Sequence, residues 1–263
     1  MKYRFISLLW ILLLTNLFGY NNTLKVDLTK EEKAWLKSNP IITLGSDEQW
    51  SPYIIKDKDG NITGYDQDII DLVNKNTGAN FKIIAGSWSE MLDKAKKKEI
   101  DGLSTSAIHE RRKEHFNFSK IYISSKKLLI VANNNPKNIN SLEDLKGKTI
   151  AYQEKNLFDE KIVQRYTDSI LVPLESLEEI LNKLIKGEVD AIVGSYSLIY
   201  LANKLELPYI KIIDYLPNST LDLVFSIRKD FPEAVSVLNK GLDSITKLEK
   251  NTLKKKWFFN ESE

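Results

Sequence analysis

The chain has 263 residues, with 38 lysines and arginines against 36 aspartates and glutamates, and no cysteine. A net charge of +2 lacks the concentrated basic field that nucleic acid demands as a partner. Without cysteine there is no disulfide, no thiolate metal site and no cysteine-linked lipid anchor.

Lys2 and Arg4 supply the excess charge, so the sequence beyond them is formally neutral. They precede an apolar run from Phe5 to Phe18, broken only by Ser7, Thr15 and Asn16. This run is shorter than the ~20 residues of a membrane span. It is expected to be a secretory signal peptide over residues 1–20, cut near Gly19, with an uncleaved anchor as the alternative. The lysine runs Lys96–Lys98 and Lys254–Lys256 fall late in helical segments, where they complement the helix dipole and solvate a face.

The spacing next predicts a helix over Thr29–Asn39, opened by a Thr29–Glu32 capping box and stopped by Pro40. Ile41–Gly45 reads as a strand and Asp57–Gly60 as a turn. Asp66–Asn76 reads as a helix with Ile69, Leu72 and Val73 inward and Gly78 beyond its end. Phe81–Ile84 is a strand, Ser87–Lys98 a helix with a Ser87–Glu90 capping box, and Ile100–Leu103 a strand. This β-α-β-α-β order implies a mostly parallel sheet covered by helices.

After a polar stretch the pattern restarts. Strands are expected at Leu128–Ala132, Lys148–Gln153, Ile170–Pro173 and Val189–Val193. Between them fall a helical turn at Leu142–Leu145, a helix at Leu157–Thr167, and a helix at Ser176–Lys186 with a Ser176–Glu179 capping box. A strand at Leu221–Ile227 is followed by helices over Pro232–Lys247 and Glu249–Phe258, which have no sheet of their own and are expected to return to the first lobe. The expected domains are residues 21–125 with 228–263 as one lobe and 126–227 as the other, the chain crossing twice. An inter-lobe cleft at strand carboxyl ends is a favoured small-molecule site.

The stretch Ile100–Tyr122 carries the plainest chemical signal. Ser104, Thr105 and Ser106 end a strand, the cations Arg111, Arg112 and Lys113 follow, and then come Phe118, Ser119 and Tyr122. Hydroxyls and backbone groups beside an arginine suit a small anion such as a carboxylate. Catalytic signals are weak. His109 and His115 lack metal spacing, and no GxSxG, P-loop or dinucleotide fingerprint occurs. No enzyme, metal or cofactor is expected.

Several ordered pieces carry a resemblance: Asp47-x-x-Trp50-x-Pro52-Tyr53, Asp59-Gly60-Asn61-x-x-Gly64-Tyr65-Asp66-x-Asp68, Ser87-Trp88-Ser89, Ile100-Asp101-Gly102, Arg112 ahead of Phe118-Ser119, Leu145-Lys146-Gly147-Lys148 and Gly187-Glu188-Val189-Asp190-Ala191. Together they resemble the bacterial extracellular solute-binding proteins of family 3, the polar-amino-acid group. LTKEEKAWLKSNP, DAIVGSYSLIYLANKL and IRKDFPEAVSVLNKGLDSITKLEKNTLKKKWF look more closely like the Venus-flytrap sensor domains that precede bacterial histidine kinases and diguanylate cyclases. No membrane span or signalling module follows those pieces, so a free-standing relative or a sensor fragment is expected.

The resemblance implies an α/β, two-lobe type II periplasmic-binding-protein fold with two hinge crossings and an inter-lobe cleft. It implies that Trp50 and Trp88 sandwich the ligand, that Arg112 grips a carboxylate, and that Thr105 and Ser106 add backbone and hydroxyl contacts. Ala107 stands where the family carries a hydroxyl, and His109 where a threonine opens the small helix. In the second lobe a glycine-rich turn is replaced by Gln153-Glu154-Lys155-Asn156-Leu157, with Asn156 expected to contact the ligand, and the usual acid is Ser195. Asp47 is then the candidate negative charge. The expected function is a monomeric periplasmic protein capturing an amino acid or small carboxylate for an ABC importer. The alternatives are a ligand-sensing domain for a membrane partner and an enzyme like the cyclohexadienyl dehydratases.

Overall fold

A computed structural model describes residues 26–48, 50–154, 162–165, 168–207 and 210–258. The expected signal peptide, Asn156 and most of the Leu157–Thr167 helix lie outside the described residues.

Helix α1 (Lys30–Ser38) opens with the reciprocal capping box: Thr29 N–H donates to Glu32 Oε2 at 2.7 Å, and Glu32 N–H to Thr29 Oγ1 at 3.2 Å. Strand β1 (Ile42–Asp47) follows, then a small ribbon of β2 (Ile55–Lys56) and β3 (Ile62–Thr63). Helix α2 (Tyr65–Thr77) ends on Gly78 at φ +75°, the left-handed exit that glycine makes cheap. Next come β4 (Phe81–Gly86), α3 (Trp88–Lys96), β5 (Gly102–Ala107), β6 (Phe116–Phe118) and β7 (Ile123–Ser125). Ser87 caps α3 by accepting from Glu90 N–H.

The chain then crosses to β8 (Leu128–Ala132), β9 (Thr149–Gln153), β10 (Ile170–Leu174), α4 (Leu177–Ile185), β11 (Ala191–Gly194), α5 (Tyr196–Lys204) and β12 (Ile210–Tyr215). It returns through β13 (Leu221–Arg228) to α6 (Pro232–Ser244) and α7 (Lys247–Phe258).

Two sheets result. The first has order β4-β1-β5-β13-β6, with β7 also on β13; the second has order β10-β9-β11-β8-β12. Strand β1 runs parallel to β4 and β5, and β9 parallel to β10 and β11, while β13, β8 and β12 pair antiparallel. Each sheet is buried on both faces. Ile69, Val73, Phe81, Phe225 and Leu238 share one core in the first lobe, and Met91, Leu103 and Phe116 the other. Ile130, Ile180 and Ile192 share one face in the second lobe, and Val131, Ile150 and Val193 the opposite one.

The sequence boundary after residue 227 differs from this pairing. Strand β13 hydrogen-bonds to β5, β6 and β7, and its Leu223, Phe225 and Ile227 bury in the first core. The second sheet therefore ends at β12, and the first resumes at Leu221. The final helices pack on the first lobe, α6 and α7 both contacting α2.

Both crossings are stitched together. Lys127 N–H donates to Ser219 Oγ at 2.9 Å, Leu216 N–H donates to the Lys127 carbonyl at 2.9 Å, and Leu221 pairs with Ser125.

Candidate functional site

The carboxyl ends of β1, β9, β10 and β11 face a cavity of about 510 Å³ between the lobes. The first lobe contributes Asp47, at the end of β1, with Trp50 and Tyr53 from the loop that follows. The crossings form the back, with Ser125, Lys126, Lys127, Ser219 and Leu221. The second lobe contributes Gln153 at the end of β9, Glu175 and Ser176 after β10, and Ser195 and Ser197 after β11.

Local sequence explains this wall. Ser176 is the N-cap of α4 and accepts from Glu179 N–H at 3.1 Å; Ser195 is the N-cap of α5 and accepts from Ser197 N–H at 3.4 Å. Two helix N-termini thus reach the cavity, and their partial positive charge favours anions. Opposite them, the Trp50 and Tyr53 rings meet edge to face with centroids 6.5 Å apart. Tyr53 is buried against Ser125, and burial raises the pKa of its hydroxyl. Ser197 Oγ donates to the Ser51 carbonyl at 2.5 Å, a direct hydrogen bond between the lobes.

Among the expected contacts, Asp47, Trp50 and Ser195 line this cavity, whereas Trp88, Thr105, Ser106 and Arg112 do not. Trp88, Ser106 and Arg112 meet one another after the carboxyl ends of β4 and β5. Trp88 begins α3 just past β4, and Arg112 follows β5. The Arg112 guanidinium lies over the Trp88 ring, Cζ 5.0 Å from its centroid, and Nη1 donates to Ser106 Oγ at 3.1 Å and to the Ala107 carbonyl at 2.8 Å. Arg112 is half-buried, and desolvation pushes its pKa down from the ordinary value. Cation–π contact and carbonyl acceptance offset part of that burial. His109 caps the short turn beside it, Nδ1 accepting from Arg111 N–H at 3.2 Å.

Thr105 points inward. Its Oγ1 donates to Asp66 Oδ2 at 2.5 Å, Ser104 Oγ donates to the same oxygen at 2.6 Å, and Tyr122 Oη donates to Oδ1 at 2.7 Å. Thr105 also sits at φ +49°, a left-handed conformation costly for a β-branched residue. Strand β5 loses regular register with β13 there. Strain held by a buried carboxylate at a strand end is of the kind found beside binding sites.

Glu175, Ser176, Gln153 and the Lys126–Lys127 pair escaped the sequence reading as ligand candidates. Glu175 and Ser176 separate β10 from α4 at a strand carboxyl end, the place where the sequence pattern puts a small-molecule cleft. Among the described residues, no helix is long and apolar enough to cross a membrane.

Residues 42–260 match the bacterial extracellular solute-binding proteins, family 3. The chain belongs to that family. It is similar to the virulence sensor protein BvgS of Bordetella bronchiseptica, 22% identical over 247 residues, which are 91% of this chain and 20% of BvgS. The chain thus spans about a fifth of the length of that sensor. It is also similar to the L-cystine-binding protein TcyA of Bacillus subtilis, 25% identical over 251 residues, 90% of this chain and 89% of TcyA. Among solved structures, the BvgS periplasmic VFT2 domain of Bordetella pertussis matches with a TM-score of 0.72 and 21% identity, over 88% of this chain and 99% of that domain. The fold is accordingly the two-lobe α/β fold of type II periplasmic binding proteins.

Proposed function

We propose that this protein captures a small polar solute, an amino acid or small carboxylate, between its lobes, and that it binds rather than transforms it. The observation that carries this reading is the cavity at the strand carboxyl ends, walled by both lobes and backed by both crossings. A ligand touching both jaws binds the closed arrangement better than the open one, which is what drives closure. Trp50 supplies an aromatic face, Asp47 and Ser195 supply polar contacts, and the Arg112–Trp88 pair offers a carboxylate grip at the adjoining edge, with Thr105 and Ser106 behind it. Asn156 completes the proposed set.

In this reading the segment 1–20 exports the chain to the periplasm, where it acts as a monomer and hands its ligand to an ABC permease. Likeness to the cystine-binding protein supports transport. Likeness to BvgS favours a second reading, a sensing domain that signals to a membrane partner. Thermal-shift measurement with amino acids and small carboxylates tests the binding function. A raised melting temperature with at least one of them is expected, and a folded protein that none stabilises would overturn the reading. Permease genes beside this one favour transport, and kinase or cyclase genes favour sensing. Turnover of prephenate or arogenate would replace both with an enzymatic function.

A further inference from the structure

Strand β5 is irregular just before the Arg112 grip. Ser226 of β13 pairs with Leu103 and Val224 with Ser106, so Phe225 alone stands opposite two residues of β5, Ser104 and Thr105. This is a β-bulge, which bends a strand and re-aims the side chains beyond it. Thr105 takes φ +49° there, a conformation that β-branched residues rarely adopt. The two bulge residues are the ones whose hydroxyls Asp66 Oδ2 accepts, Ser104 at 2.6 Å and Thr105 at 2.5 Å. Asp66 lies in the first turn of α2 and is itself fixed. Tyr122 Oη donates to its Oδ1 at 2.7 Å, and its backbone N–H donates to the Tyr53 carbonyl at 3.1 Å. Directly beyond the bulge, Ser106 Oγ accepts from Ser226 Oγ at 2.8 Å and from Arg112 Nη1 at 3.1 Å. The Ala107 carbonyl accepts from the same Nη1 at 2.8 Å, and the guanidinium rests on the Trp88 ring.

Resting on the solute-binding reading above, we infer that Asp66 is the positioning residue of the Arg112 grip: it holds the Ser104–Thr105 bulge, and the bulge aims Ser106 and Ala107 at the guanidinium. Asp66 is fully buried and acts through the backbone of β5, not on the ligand itself. Without the bulge the register slips by one residue, and Ser106 turns to the opposite face of the sheet. A carboxylate suits the task because one charged oxygen accepts both hydroxyls in short, strong hydrogen bonds. A carboxamide in its place offers a single, uncharged acceptor oxygen and an NH2 group that needs acceptors of its own. The bulge is thus held by a charge that lies outside the ligand's reach, and the cost of the Thr105 conformation is met by those bonds.

Two readouts test the assignment, with folding of each variant checked by circular dichroism. The first needs no ligand. The Arg112 Nε–H proton resonance, assigned by its loss in Arg112→Lys, is displaced by the Trp88 ring against which the guanidinium lies. Asp66→Asn and Thr105→Val each break the hold on the bulge and are expected to move that resonance toward the position of free arginine. Asp66→Asn combined with Thr105→Gly is expected to restore it, because glycine adopts a positive φ without being held. The second readout is calorimetry with acetate, glutarate and the twenty L-amino acids. Every probe that the wild type binds is expected to bind Asp66→Asn about tenfold more weakly or worse, and the double variant is expected to regain the loss. Unchanged affinities in a folded Asp66→Asn, or in Thr105→Val should the asparagine variant not fold, overturn the positioning role and leave the solute-binding reading standing. A loss that Thr105→Gly does not regain also overturns it, and assigns Asp66 to the stability of the lobe alone. A wild type that binds no probe overturns the solute-binding reading, and the resonance still decides whether Asp66 sets Arg112.

Discussion

Phe258 of α7 and Tyr196 of α5 meet between the lobes, ring centroids 5.3 Å apart. The same phenylalanine touches Tyr53 at 5.0 Å and Tyr65 at 5.1 Å in the first lobe. Tyr196 packs against the cores of both lobes. Helix α7 is pinned beside this contact, since Asp68 Oδ2 accepts from Lys256 Nζ at 2.7 Å and from Trp257 Nε1 at 2.6 Å. One ring therefore links the final helix, the wall of the cavity through Tyr53, and the second lobe. Phe258 is 6% exposed, so Phe258→Ala is expected to cost about 3–5 kcal/mol of stability, read by urea unfolding. Phe258→Leu should recover most of it. A loss below about 1 kcal/mol for the alanine variant would show that the contact does not hold α7 in place.

Arg112 offers a test of the proposed carboxylate grip. Its Nη1 serves Ser106 and Ala107, and its plane rests on Trp88, but no carboxylate pairs with it among the described residues. A half-buried cation without a counter-ion suits a ligand carboxylate. Arg112→Lys keeps the charge and loses the planar fork and the stacking. It is expected to weaken any carboxylate-bearing ligand by about tenfold or more, measured by calorimetry, while the unliganded melting temperature moves little. Undiminished affinity would remove Arg112 from the site.

The skeleton was legible because its signals are local. Three capping boxes expected at Thr29, Ser87 and Ser176 each supply a cap in the structure. The Asp101 and Asp190 motifs prove to be one device used twice: each carboxylate accepts a backbone N–H near the start of the neighbouring strand, Thr43 at 2.8 Å and Thr149 at 2.9 Å. Other features depend on contacts distant in sequence. Strand β13 reads as a continuation of the second lobe until its partners are known, because an apolar strand does not name its sheet. Helix α5 packs Leu198 and Ala202 on the second-lobe core while Tyr196 also meets the first, so its apolar period is blurred. Thr105 read as a ligand hydroxyl because a strand end was visible, whereas its partner Asp66 lies 39 residues away. The cavity drew on corners, such as Glu175-Ser176, that carry no distinctive residue pattern.

Tyr65 gives a prediction of the opposite sign. Its side chain is fully buried among Tyr53, Tyr122 and Phe258, and its hydroxyl has no hydrogen-bond partner among the described residues. Burial and the nearby Asp66 carboxylate raise its pKa, so the hydroxyl stays protonated. An unsatisfied buried hydroxyl costs about 1–3 kcal/mol. Tyr65→Phe removes the hydroxyl and keeps the ring, so it is expected to raise the melting temperature by a few degrees. A fall would mean that the hydroxyl is satisfied in solution, for example by a buried water.

Asp66 makes stability depend on pH in an unusual direction. Burial lifts its carboxyl from 3.8 to about 6, although Ser104, Thr105 and Tyr122 donate to it and pull the other way. Above about pH 6 it is ionised in both folded and unfolded chains, and the full cost of burying that charge is present. Between about pH 6 and 4 the folded protein takes up a proton that the unfolded chain does not, so this group's contribution to stability rises as pH falls. Below the unfolded value both forms are protonated, and the gain levels off at about 3 kcal/mol for a shift of this size. Carboxylates held low, such as Asp230 beside Arg228, act in the opposite sense at still lower pH. The signal is therefore a difference: unfolding free energy of wild type minus that of Asp66→Asn, measured from pH 7 to pH 4. That difference is expected to grow in favour of wild type as the solution is acidified. A flat or falling difference would mean that the three hydroxyls stabilise the anion enough to cancel its burial.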